Sequence, residues 1–126
     1  EPAALRNALN ALLEDDIVIT GCEAVSSSFH ARYDAKSKVY HYRMLNRPLP
    51  AAIGRQYSWF IRKAMNHEAM RAAIAFIIGS HDFKAFEAAG SPRAHTVRHI
   101  MAADWIAKDT HLLHFRIQAN GFLRFM

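Results

Sequence analysis

Hydrophobic positions recur with two different periods along this chain, and the changes of period divide it into elements. Leu5, Leu9, Leu12 and Leu13 fall on one helical face, which predicts a short amphipathic helix over Ala3–Leu13, broken by Asp15-Asp16. Ile17–Val25 is rich in β-branched residues and is expected to be a strand with Gly21 as a bulge, followed by a Ser26-Ser27-Ser28 loop. From Val39 the residues Val39, His41, Arg43 and Leu45 alternate with Tyr40, Tyr42 and Met44, a period of two that predicts another strand. It runs out at Asn46-Arg47-Pro48-Leu49-Pro50, where two prolines impose a turn or an extended connection. Tyr57, Trp59 and Ile61 also alternate, but nothing in the sequence identifies a strand partner for them.

The second helix has the clearest signals. Asn66 fits an N-cap, Glu68 sits in the first turn, and Met70, Ala73, Ile74 and Ile77 keep helical spacing, with Gly79 as the expected stop. Ser80-His81-Asp82, a short Phe83–Phe86 segment and a loop around Gly90-Ser91-Pro92 follow. Two strands, Thr96–Lys108 and Leu112–Ala119, close the chain, and the tight Asp109-Thr110 turn between them predicts a hairpin. The expected fold class is α+β, a mixed or antiparallel sheet with flanking helices, in a single domain spanning residues 1–126.

Composition narrows the function classes. Sixteen Lys and Arg against eleven Asp and Glu give a formal charge of +5 and a pI near 9.7, which suits a polyanionic partner. No apolar run approaches the roughly 20 residues of a membrane span. One cysteine, Cys22, excludes an internal disulfide and a multi-cysteine zinc site, so a reducing, cytoplasmic setting is the expectation. Cys22 itself, in mid-strand among β-branched residues, reads as buried and inert. His95 and His99 would share a strand face while His111 and His114 would point oppositely, and no H-E-x-x-H or Cys/His set accompanies them. There is no G-x-S-x-G elbow and no phosphate-cradling glycine loop. No metal and no cofactor is expected. The chain opens at Glu1 and closes at Met126 inside the apolar stretch Gly121–Met126, which reads as an excised fragment.

Two stretches carry candidate chemistry. Phe29-His30-Ala31-Arg32-Tyr33, followed by Lys36, Lys38, Tyr40, His41, Tyr42 and Arg43, interleaves aromatic and cationic groups. Such a mixture can stack unpaired bases and hold phosphates. Equally, Tyr40 and Tyr42 can be one buried strand face and the cations its wet face. In the second stretch, Phe83-Lys84-Ala85-Phe86 precedes a loop of Gly90, Ser91, Pro92, Arg93 and Ala94, then His95 to Arg98. It reads either as an RNA-contacting loop or as a hydrophobic plug under an ordinary surface loop.

Taken in order, these blocks resemble the tRNA pseudouridine synthase A family. Leu9-Asn10-Ala11-Leu12-Leu13 with Asp15-Asp16-Ile17 is similar to its L-N-x-x-L-P-x-D-I segment. Phe29–Tyr33 through Lys38–Tyr42 is similar to its F-H-A-R-F/Y block. Gly79-Ser80-His81-Asp82-Phe83 with Phe86 matches G-x-H-D-F-x-x-F, and Thr96-Val97-Arg98 and Asn120-Gly121-Phe122-Leu123 match two later blocks. The resemblance implies a pseudouridine synthase-like half domain from an isomerase that converts uridine to pseudouridine at tRNA positions 38–40, in the anticodon stem-loop, without metal or cofactor. It implies that Tyr40 stacks on the uracil, that Phe29, His30, Ala31, Arg32 and Tyr33 contact tRNA and support flipping, and that Gly90–Ala94 is a further tRNA-contacting segment. It also implies a homodimer for the full-length protein. The family's catalytic aspartate belongs to a G-R-T-D-A-G-V-H motif that these residues do not contain. Arg32-Tyr33-Asp34-Ala35 imitates it out of place, so Asp34 is a decoy and the fragment is expected to be inactive alone. The competing expectations are a non-catalytic RNA-binding module and a basic α+β scaffold.

Overall fold

A computed structural model describes residues 1–90 and 95–126, which form two compact units, Glu1–Ala35 and Lys36–Met126. In the first unit, helix α1 (Pro2–Leu12) begins with proline, whose fixed φ and missing N–H cost nothing in a first turn. The expected strand over Ile17–Val25 does not form. β-branched residues supply propensity, but a strand exists only where a neighbour takes its N–H and C=O groups. Here Ile19 finds those partners in a side chain: Asn10 Nδ2 donates to its carbonyl at 2.9 Å and Asn10 Oδ1 accepts from its N–H at 2.7 Å. Cys22 is accordingly half-buried and outside any strand.

The second unit holds strands β1 (Lys38–Asn46), β2 (Trp59–Ile61), β3 (Gly79–Asp82), β4 (Val97–Ala107) and β5 (Leu112–Ala119), with helix α2 (His67–Ile74) before β3. They make one five-stranded sheet in the order β2-β1-β5-β4-β3, antiparallel except for the β1–β2 pair. The α+β reading holds, with a mixed sheet. The β4–β5 hairpin is closed by Asp109, whose carboxylate accepts from the N–H groups of His111 and Leu112, both at 2.7 Å. Those two hydrogen bonds hold its pKa below the ordinary carboxylate value.

Parallel pairing explains why β2 has no visible partner in sequence, since its neighbour is reached across residues 47–58 and not through a tight turn. Asn46, at the end of β1, fastens this crossing. Its Nδ2 donates to the carbonyls of Ile61 and Lys63, each at 2.8 Å, and its Oδ1 accepts from Met65 N–H at 3.3 Å. Asn66 then caps α2, accepting from Ala69 N–H at 2.9 Å. The helix ends at Ile74, not at Gly79: Phe76 and Ile77 turn with tighter bonds to Ala73 and Ile74, both 3.1 Å. Gly79, at φ 99°, instead opens β3 in a conformation that a side chain disfavours.

Register fixes which face is buried. Tyr40, Tyr42 and Met44 lie opposite Ile117, Phe115 and Leu113, and Ala103 and Trp105 lie opposite Ile117 and Phe115. A bulge between Ile100 and Ala102 inserts one residue, so that both Ile100 and Ala103 reach this face. Two apolar clusters form there, one around Ile100, Ile117, Phe83 and Leu123, the other around Met44, Trp105 and Leu113, with α2 packed on the second through Met70 and Ile74. Phe115 touches both. The opposite face presents His41, Arg43, His114, Arg116 and Asp104.

Candidate functional site

Tyr40 sits on β1 opposite Ile117, on the apolar side of the sheet. Its ring meets Phe122 edge-on, with centroids 4.7 Å apart and planes at 69°, and Tyr42 lies 6.4 Å away. Packing on one side leaves Tyr40 46 % exposed, so a flat aromatic partner has a surface to stack on. Phe122 is held in place from both sides. Asn120 N–H donates to the His99 carbonyl at 3.1 Å and Asn120 Oδ1 accepts from His99 N–H at 3.0 Å, while Leu123 is buried in the core. Phe122 had no expected site role; its one signal was its place in the Asn120–Leu123 block.

Alternation separates what the sequence interleaves. Tyr40 and Tyr42 face the core side, whereas His41 and Arg43 face the other, so strand β1 does not present rings and cations on one surface. Beside the tyrosines, an apolar groove of about 320 Å³ runs along the sheet, lined by Tyr42, Trp59, Met70, Phe86, Phe122 and Met126 among others. Its walls offer contact area and almost no polar groups, so it fits apolar or aromatic matter and not phosphate.

Phe29–Tyr33 lies in the first unit as an exposed, self-capped turn. The His30 N–H donates to Asp34 Oδ2 at 2.8 Å, the Asp34 N–H donates to the His30 carbonyl at 2.9 Å, and His30 Nδ1 accepts from the N–H groups of Arg32 and Tyr33, both at 3.3 Å. The carboxylate of Asp34 is thereby engaged in closing the turn. Arg32 lies over the Tyr33 ring at 5.8 Å, and both side chains are exposed.

Of the second candidate stretch, Phe83 is a buried plug and Phe86 packs edge-on against it with centroids 5.8 Å apart. Asp82 accepts from the Thr96 hydroxyl and from Lys84 N–H, tying together the two ends of the loop. The Thr96 hydrogen bond, then the Lys84 one, lowers its pKa. Lys84 pairs with Glu87 at 2.6 Å. Gly90 has φ 76° and open space around it. Ser91, Pro92, Arg93 and Ala94 lie outside the described residues. His99 Nδ1 sits 2.8 Å from Ser80 Oγ, and among the described residues no group of three or more His, Cys, Asp or Glu could hold a metal ion. Among them, too, no helix is long and apolar enough to cross a membrane.

A family model described as tRNA pseudouridine synthase matches residues 72–126. The tRNA pseudouridine synthase A of Thermoanaerobacter sp. (strain X514) is 44 % identical over 116 residues, 92 % of this chain and 47 % of the relative. That of Clostridium botulinum (strain Alaska E43 / Type E3) is 43 % identical over 94 % of this chain and 48 % of its own length. That of Pseudothermotoga lettingae is 36 % identical over 98 % and 50 %. The chain thus spans about half the length of the curated relatives it matches. Over the stretch it spans, with its sequence blocks in order and its α+β sheet, the chain is similar to the tRNA pseudouridine synthase A proteins.

Proposed function

We propose that this chain is part of an isomerase that converts uridine to pseudouridine in the anticodon stem-loop of tRNA, at positions 38–40. One observation carries the reading: Tyr40, in the block shared with the family, offers a half-exposed ring backed by Phe122. Isomerisation breaks the bond from uracil N1 to ribose C1′, rotates the base, joins C5 to C1′, and moves a proton from C5 to N1. The uridine has to leave its stack first, and an exposed aromatic ring supports a flipped base. Tyr40 stacks on the uracil, and its hydroxyl assists removal of the C5 proton. Phe29, His30, Ala31, Arg32 and Tyr33 contact the tRNA and support flipping, and Gly90, Ser91, Pro92, Arg93 and Ala94 contact it again. The full-length protein works as a cytoplasmic homodimer, without metal or cofactor.

These 126 residues contain no G-R-T-D-A-G-V-H motif, so by themselves they supply no nucleophilic aspartate and do not catalyse. Their exposed Arg32, Tyr33 and Tyr40 favour a second reading for the isolated stretch, a non-catalytic RNA-binding module. Tritium release from carbon-five-labelled uridine in tRNA separates the two. Release by the full-length protein, abolished by Tyr40→Ala, supports the isomerase. RNA binding by the full-length protein with no release, and no change on Tyr40→Phe, leaves only the binding module.

A further inference from the structure

We propose that the sheet face opposite Tyr40 is a second RNA-docking surface, which holds the phosphate backbone through Arg43 and Arg116. Register places Arg43 opposite His114 and His41 opposite Arg116 on β1 and β5, so the two arginines are diagonal neighbours on one face. Diagonal positions on paired strands lie roughly 7–8 Å apart, close enough for both guanidiniums to hold one strand of backbone. Lys108 adds a further positive charge beside His114, and Asp104, at 3.3 Å from Arg116, is the neighbouring carboxylate. Arg43 and Lys108 are exposed and Arg116 is a third exposed, so the face is basic and accessible.

The occupant follows from that chemistry. The groove lined by Tyr42 is apolar and suits rings; this face is cationic and hydrogen-bonding, with Gln118 Oε1 already accepting from Arg116 at 3.1 Å. Guanidiniums bind phosphate by paired N–H groups without reading sequence. The proposal does not rest on the isomerase reading, since it concerns binding on the other side of the sheet.

The test is fluorescence anisotropy of a labelled oligouridylate with the whole 126-residue chain, at a series of salt concentrations. Three variants are compared, Arg43→Gln with Arg116→Gln, Arg43→Lys with Arg116→Lys, and, as a control matched in charge to the first, Arg71→Gln on α2 with Arg62→Gln. The double glutamine variant is expected to bind on the order of tenfold more weakly at 0.1 M salt, with the salt slope shallower by about 1.4. The double lysine variant keeps the slope and the control binds as the parent does. Circular dichroism of each variant shows that the fold is kept. A double glutamine variant that binds like the control overturns the proposal, as does an effect that appears equally in the lysine variant. Self-association of the parent chain, lost with the two arginines while RNA binding is unchanged, overturns it in favour of a contact between copies.

Discussion

At the scale of single residues, the two aromatic–cationic candidates separate by what backs each side chain. Tyr40 stands on a paired strand against Phe122, so its ring is pre-oriented, whereas Arg32 and Tyr33 project from an exposed turn. Under the proposed function, Tyr40→Phe in the full-length protein keeps the ring and removes the hydroxyl. Its product formation is expected to fall by a hundredfold or more with tRNA affinity nearly unchanged, the size of an acid–base contribution. Tyr40→Ala loses the ring as well and weakens tRNA binding by about 1–3 kcal/mol. Single-turnover rates and filter binding on the same proteins check both outcomes. His114 makes a different prediction. Burial first, then the positive charges of Arg43, Lys108 and His41, hold its pKa below the ordinary value, and Ile106 lies opposite it on β4. A folded-state pKa below the unfolded one means the unfolded chain takes up the proton first. Its contribution to stability is present above about pH 6.5 and is lost as pH falls from there through the folded-state value. Urea midpoints measured between about pH 8 and pH 5 are expected to fall more steeply for the parent than for His114→Gln.

Elements differ in how far local sequence determines them. β1, β4 and β5 are legible because alternation is a property of each strand and Asp109-Thr110 announces their hairpin; α2 is legible from Asn66, whose side chain does cap it. The parallel β2 and the failure of Ile17–Val25 are not legible, since each depends on whether a distant partner exists. Asn46 belongs to this second class. Read locally it is a turn residue before proline, yet its amide joins β1 to residues 61–65 and reaches His67 at 3.4 Å. Asn46→Ala leaves two carbonyls and an N–H without that partner and is expected to cost about 2 kcal/mol. Asn66→Ala, which removes a single cap bond, is expected to cost about 1 kcal/mol. Chemical denaturation of both variants ranks the two, and an equal cost would remove the special role of Asn46 in seating β2. At the site, Tyr40 and the 29–33 turn were readable as residue types. Phe122 was not, because edge-on packing between β1 and a segment near the C-terminal end is invisible to local pattern.

For the molecule as a whole, the distribution of burial decides what folds by itself. Every residue of the core, from Met44 to Leu123, lies in Lys36–Met126. Helix α1 buries none of its residues, and Leu12 is 85 % exposed. Short helices are marginal in water unless an apolar face is packed, and within Glu1–Ala35 the ordering hydrogen bonds are those of its helix, its turns and the Asn10–Ile19 pair. The five-stranded sheet, in contrast, has two apolar clusters joined through Phe115. A protein of residues 36–126 is therefore expected to unfold cooperatively at nearly the same temperature as the 126-residue chain. In the longer chain, amide exchange is expected to be fast throughout residues 1–35 and slow in β4 and β5. Exchange read by mass spectrometry, with thermal melts of both lengths, checks this. A melt lowered by more than about 5 °C on removing residues 1–35 would show that the first unit contributes to the stability of the sheet. In that case Phe29–Tyr33 would have a structural share alongside the tRNA contact proposed for it.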